Sequence, residues 1–201
     1  SQYRNHHFAR PKKWICADIE CDAGCGIVPF EYEDKNFVNS LQWAIGLELF
    51  LLIKDPWRIY LTTDHPNGAA FTAYPKLIKL LMDKTFRNNE LEKINKQAQE
   101  HSVLKNLKRE YDLYEIAILT RAGPAKVLGL KNIGHLGNGA NANITVYNNL
   151  KDKEEMFENP FMVFKDGNLI VKNGKIQKVF NGKFYTAETD FDKSIEKEIS
   201  S

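Results

Sequence analysis

The run from Phe37 to Ile53 constrains this chain more than any other feature, because only Asn39, Ser40, Gln42 and Glu48 interrupt its apolar side chains. The pattern predicts a helix that starts after Asn36 and stops at Asp55 and Pro56, since proline disfavours a helical residue before it. A helix apolar on nearly all sides belongs inside a larger protein rather than on a surface. Its longest apolar stretch, Leu41 to Ile53, carries Glu48 and falls short of the roughly 20 residues that span a bilayer. Ser1 to Lys13 is polar and basic with no signal-type apolar core behind it, so a buried helix in a cytoplasmic protein is the expectation, with no membrane partner.

Downstream, Trp57 to Thr63 is rich in β-branched and aromatic residues and reads as a strand, ended by the turn-forming run Asp64, His65, Pro66, Asn67, Gly68. Helical patterns follow at Tyr74 to Lys84, Asn88 to Gln99 and Tyr111 to Arg121, the last continuing past Gly123 with Pro124 at a helix start. After Gly139 the texture changes to short strands: Ile144 to Tyr147, Phe161 to Lys165, Leu169 to Lys172, Ile176 to Phe180 and Phe184 to Thr186. Asp166-Gly167, Asn173-Gly174 and Asn181-Gly182 punctuate them as hairpin signals, because tight primed turns need positive φ. The expected organisation is an α/β segment over residues 1–134 and a small antiparallel β segment with a charged tail over 135–201. The α/β part has one confident strand, too little sheet to bury its apolar helix, so the chain reads as the end of something bigger or as a piece that docks onto other chains.

Composition narrows the partners. With 28 basic against 26 acidic side chains in 201 residues there is no excess charge for tracking phosphates, so a nucleic-acid partner is not expected. The 12 Phe, 8 Tyr and 3 Trp argue against disorder. Three cysteines, Cys16, Cys21 and Cys25, form no secreted-type disulfide framework, and their spacing fits neither zinc ribbons nor the common ferredoxin runs. Adjacent His6 and His7 could complete a zinc site with them, but small buried cysteines are the plainer reading. Glu48 is either a paired buried acid or one facing a water-lined interface.

Chemistry concentrates at Thr62 to Gly68. An ionisable cluster at the C-terminal end of an apolar parallel-type strand is where α/β barrels collect catalytic groups. Asp64 could ligate a metal or act as a general base, and His65 or Asn67 could orient a substrate. Asp64 could equally cap an Asx-type turn, with His65 solvated.

The stretches LQWAIGLELFLLIKDPWRIYLTTDHPNGAAFTAYPKLIKLLM, REYDLYEIAILTRAGPAKVLGL and GHLGNGANANITVYN together resemble the C-terminal part of the amidohydrolase-type subunit family of formylmethanofuran dehydrogenase, archaeal members of the amidohydrolase superfamily. The resemblance runs collinearly from roughly Gly26 to Thr186. It implies the C-terminal part of a (β/α)8 amidohydrolase barrel followed by strands of a small β-sandwich. It also implies a function: condensation of formate with methanofuran to N-formylmethanofuran, and the reverse hydrolysis, in archaeal reduction of carbon dioxide and methanogenesis. By resemblance Asp64 stands at the end of the eighth barrel strand as a metal ligand and proton shuttle, with His65 and Asn67 as candidate substrate contacts.

The same resemblance implies a binuclear zinc centre, with a tungsten or molybdenum pterin and iron-sulfur clusters confined to partner subunits. The family's His-x-His pair, carboxylated lysine and further histidines lie upstream of the matching region, so the remaining zinc ligands are expected outside this chain. The expected partners are the N-terminal portion of the same subunit, the other subunits of formylmethanofuran dehydrogenase, and the substrates methanofuran and formate. A barrel takes about 250 residues, so the expectation is a closing part, active only when completed. The rival expectation is a non-catalytic assembly module of the same complex. Asn141 and Asn143 replace aspartates usual in the superfamily, where turn hydrogen bonding serves equally, and His135 reads as a structural turn residue.

Overall fold

A computed structural model describes residues 33–63 and 69–182, together with positions 184, 195 and 199. Helix α1 spans Phe37–Leu52. Asn36 caps its start by accepting the Asn39 N–H at 3.1 Å. Ser40, Ala44, Leu47 and Leu51, at helical spacing, form its buried face. The opposite face leaves Val38, Ile45, Leu49 and Leu52 exposed, so the helix expected to be wholly buried has an uncovered apolar stripe among the described residues.

The far end of α1 is fastened by two side chains from one distant loop. The Arg109 guanidinium donates to the carbonyls of Phe50, Leu51, Ile53 and Lys54, and the Tyr111 hydroxyl donates to Phe50. A cation over the last carbonyls of a helix also opposes the negative end of its dipole. Glu115 holds Arg109 at 2.7 Å and forms a capping box with Asp112.

Helices α2 (Tyr74–Met82), α3 (Lys84–Leu91) and α4 (Lys96–His101) pack beside α1. Asp83 ends α2 and caps α3 by accepting from Phe86 at 2.8 Å, which is why the predicted helix to Lys84 stops two residues early. The predicted helix from Asn88 to Gln99 is broken, because Asn95 accepts from Ala98 and starts α4 afresh. Arg87 of α3 is fully buried, and donates to the carbonyls of Leu80, Leu107 and Arg109 rather than to a carboxylate among the described residues. Burial holds its pKa below the usual guanidinium value. Glu48 is the paired acid of the two alternatives, accepting from the Ser102 hydroxyl and the Val103 N–H, both at 2.7 Å.

Residues 113–127 make one rod in three parts: α5 (Leu113–Ala117), a π-helical turn (Ile118–Ala122) and α6 (Gly123–Val127). Its end is a Schellman motif, with Gly129 at φ +68°, Gly129 N–H on Lys126 and Leu130 N–H on Ala125.

The antiparallel sheet β1 (Ile144–Val146), β2 (Met162–Lys165), β3 (Asn168–Lys172), β4 (Lys175–Ile176) runs in sequence order. Asp166-Gly167 and Asn173-Gly174 have φ of 48°, 78°, 49° and 71°, as the two hairpin signals require. The expected strand Ile176 to Phe180 shrinks to Lys175–Ile176, and the expected strand Phe184 to Thr186 beyond Asn181-Gly182 lies, apart from Phe184, outside the described residues. Helix α7 (Lys153–Glu158), not anticipated, sits between β1 and β2, where Asp152 caps it by accepting from Glu154 and Glu155. It packs on α2, and Lys79 meets Asp152 at 2.6 Å and Glu154 at 3.6 Å, tying the sheet region to the helical body. No helix among the described residues is long and apolar enough to cross a membrane.

Candidate functional site

The segment after α1 is where the fold departs furthest from expectation. Asp55 accepts from the Trp57 N–H, and Pro56–Arg58 turns as one 3-10 helix. Residues 59–63 then run extended without joining a ladder among the described residues, so the predicted strand Trp57 to Thr63 is not a sheet strand here. A strand becomes regular only when a neighbour takes its amides and carbonyls. This one instead lies against helices: Leu61 N–H donates to the Leu119 carbonyl at 3.3 Å, and the Tyr74 hydroxyl donates to the Leu61 carbonyl at 3.4 Å. Leu61 and Thr63 are buried.

The Ala69 N–H donates to the Thr63 carbonyl at 2.8 Å, linking the two residues that flank positions 64–68. Asp64, His65 and Asn67 belong to that interval and lie outside the described residues, as do His6, His7, Cys16, Cys21 and Cys25. What the structure supplies is the frame: a segment with Leu61 and Thr63 buried that leads up to that interval, and the hydrogen bond between Thr63 and Ala69 on either side of it.

Beside that frame is an open cleft of about 880 Å³. Tyr60 and Thr62 of the extended segment form one side, Thr72 and Tyr74 another, and Thr120 and Arg121 of the π turn a third. The remaining lining is mainly apolar, with Phe71 and Val127 well exposed. Mostly apolar walls with a few hydroxyls and the Arg121 guanidinium suit a ligand or a polypeptide with an apolar body and a polar end. Sequence reasoning missed Thr120 and Arg121. Their signal was Gly123-Pro124, read as a helix start although both sit inside a continuous rod.

His135 has the structural role expected of it: Nε2 lies 2.9 Å from the Lys131 carbonyl and Nδ1 accepts from Gly137 at 3.1 Å, which assigns the ring proton to Nε2. Asn143 accepts the Asp166 N–H at 2.8 Å, turn hydrogen bonding of the kind anticipated. Among the described residues no group of three His, Cys, Asp or Glu could hold a metal ion, so a binuclear centre does not fit the residues in view.

A helical body and a small antiparallel sheet agree with the comparison to known proteins: the chain belongs to the Amidohydrolase family, whose sequence model matches residues 2–176. Within it, the chain is 45% identical over its full length to the A-subunit of the formyltransferase/hydrolase complex Fhc of Methylorubrum extorquens, covering 36% of that protein. It is also 45% identical, over 89% of its length, to Protein FwdA of Methanocaldococcus jannaschii, covering 33%. Among solved structures, it matches the formyltransferase/hydrolase complex FhcABCD from Methylorubrum extorquens in complex with methylofuran, with a TM-score of 0.78 and 46% identity. That match covers 86% of this chain and 32% of the other. The chain thus spans about a third of the length of the relatives it matches, and the similarity fits a C-terminal portion of such a subunit. The bacterial relative widens the resemblance beyond the archaeal family.

Proposed function

We propose that this chain is the closing part of an amidohydrolase subunit that cleaves, and in reverse forms, the formyl amide of a methanofuran-type amine. The observation that carries the proposal is the 45% identity over the whole chain to one subunit of a formyltransferase/hydrolase complex. In this reading residues 1–134 supply the last strand and outer helices of a (β/α)8 barrel, and residues 135–201 strands of the adjoining sandwich. Residues 59–63 are the last barrel strand, laddered only when the rest of the barrel lies beside it.

Asp64 is then the proton-handling group. As water attacks the formyl carbon, its carboxylate takes the proton released from the water. It returns that proton to the amine nitrogen as the C–N bond breaks, giving formate and the free amine. His65 and Asn67, one and three residues on, orient the formyl group or the amine. The two zinc ions of the resemblance would need ligands from outside this chain, and no step above is routed through them. For partners, the relatives support a multi-subunit assembly such as the formyltransferase/hydrolase complex, with methylofuran bound in one of them.

The test is Asp64→Asn in the assembled protein. Hydrolysis of the N-formyl amide should fall by about a hundredfold or more, with assembly intact on size-exclusion chromatography. Undiminished hydrolysis would remove Asp64 from the mechanism.

A further inference from the structure

The π turn is built around a proline that cannot donate. In α registry an amide at position 124 would bond the Thr120 carbonyl, and in π registry the Leu119 carbonyl, but Pro124 has no N–H for either. The helix widens there, with the Gly123 N–H reaching back five residues to Ile118. Both freed carbonyls are used. Thr120 accepts from its neighbour Arg121 at 2.9 Å, and Leu119 accepts the Leu61 N–H at 3.3 Å, from the middle of the extended segment. Gly123 has φ −62°, ordinary for a helix, so conformational freedom does not explain the glycine. Space does, because a Cβ at Gly123 would come within 2.9 Å of both the Ile118 carbonyl oxygen and a ring carbon of Tyr60.

We propose that Gly123 and Pro124 are positioning residues: the π turn they create receives the Leu61 amide and the Tyr60 ring, and so sets the line of residues 59–63, the run that immediately precedes Asp64. The inference deepens the reading of Asp64 as the proton-handling group and rests on it. The π turn also forms one wall of the adjoining cleft through Thr120 and Arg121, so a single local distortion fixes both the segment and the space beside it.

The experiment pairs Pro124→Ala and Gly123→Ala in the assembled protein. Pro124→Ala restores an amide that competes for the Leu119 or Thr120 carbonyl. Hydrogen exchange at Leu61 should then quicken by about five- to tenfold, the worth of one hydrogen bond, while the amides of buried Leu80 and Leu81 keep their protection. Formyl-amide hydrolysis should lose about tenfold or more in kcat with KM within about twofold, the split expected when alignment rather than binding is lost. Unchanged exchange at Leu61 overturns the coupling, and faster exchange with unchanged kcat overturns the positioning role. Gly123→Ala covers the case in which Pro124→Ala does not assemble. Helix propensity alone makes it stabilising, whereas the positioning role requires a loss of kcat that Tyr60→Leu restores in part in the double variant, the contact with the Ile118 carbonyl remaining. No loss, or no rescue, overturns it. Undiminished turnover in Asp64→Asn would defeat the catalytic reading separately, because exchange at Leu61 reads the coupling without it.

Discussion

The helical body around Arg87 and the extended segment 59–63 are neighbours held in opposite ways. In the body, polar side chains bond across elements: buried Ser40 donates to Asp34 and accepts from Asn95, half-buried Glu48 takes Ser102 and Val103, and buried Arg87 spans three carbonyls. The segment carries two bonds at Leu61 and one at Thr63 and lies in contact with helices, with an open cleft alongside. The contrast teaches that polar bonding across elements and the open cleft belong to different parts of this chain. The body is tied together across elements, and it presents one backbone run that joins no ladder among the described residues.

Arg87→Ala should break the body most severely. It removes the donor to the Leu80, Leu107 and Arg109 carbonyls and leaves a large void, costing about 3 kcal/mol or more. Thermal denaturation of the chain would show it, and a loss under about 1 kcal/mol would mean the guanidinium is not what joins these loops.

A smaller effect is expected where the sheet region meets the body. Asp152→Ala removes the α7 cap and the partner of Lys79, for about 1–2 kcal/mol, mostly from the cap because the carboxylate is half exposed. The hydrogen bond from Lys79 holds the Asp152 carboxyl below its usual value and raises the Lys79 ammonium above its own. The carboxylate's contribution is therefore present above its unfolded pKa near about 4 and fades as pH falls through the lower folded value. The ammonium's contribution is full below about 10 and is lost as pH rises through the raised folded value. A stability difference between wild type and variant that did not narrow on acidification would exclude the ion pair as a contributor.

Leu49→Gln is the smallest. Leu49 is 54% exposed on the uncovered stripe of α1, so chemical denaturation should shift by no more than about 0.5 kcal/mol. A shift above about 2 kcal/mol would show that this face is covered and belongs with the body.

How far these regions were legible in sequence follows the same division. Helix α1 was readable to within a residue because Asn36 caps it and Asp55-Pro56 forbids its continuation, all signals within one turn. The hairpins at Asp166-Gly167 and Asn173-Gly174 were equally local. Local signals were also missed: Asp152 ahead of two glutamates is an N-cap pattern, and Asn95 inside a charged run is a break. Trp57 to Thr63 has strand composition, but composition cannot report whether a neighbouring strand is present. The cleft wall at Thr120 and Arg121 was beyond reach, since it depends on a contact between positions 61 and 119 and on a proline inside a rod. Asp64 was singled out by its place after an apolar run and by family resemblance, two signals that need no distant contact.

The central claim is that this chain provides one part of a composite active site. Its most direct test is N-formyl amide hydrolysis measured with the chain alone, with the N-terminal remainder of the protein alone, and with the two combined, with zinc content determined in each. Hydrolysis only in the combined sample, abolished there by Asp64→Asn, is the result expected. Full hydrolysis and zinc loading by the isolated chain would contradict it.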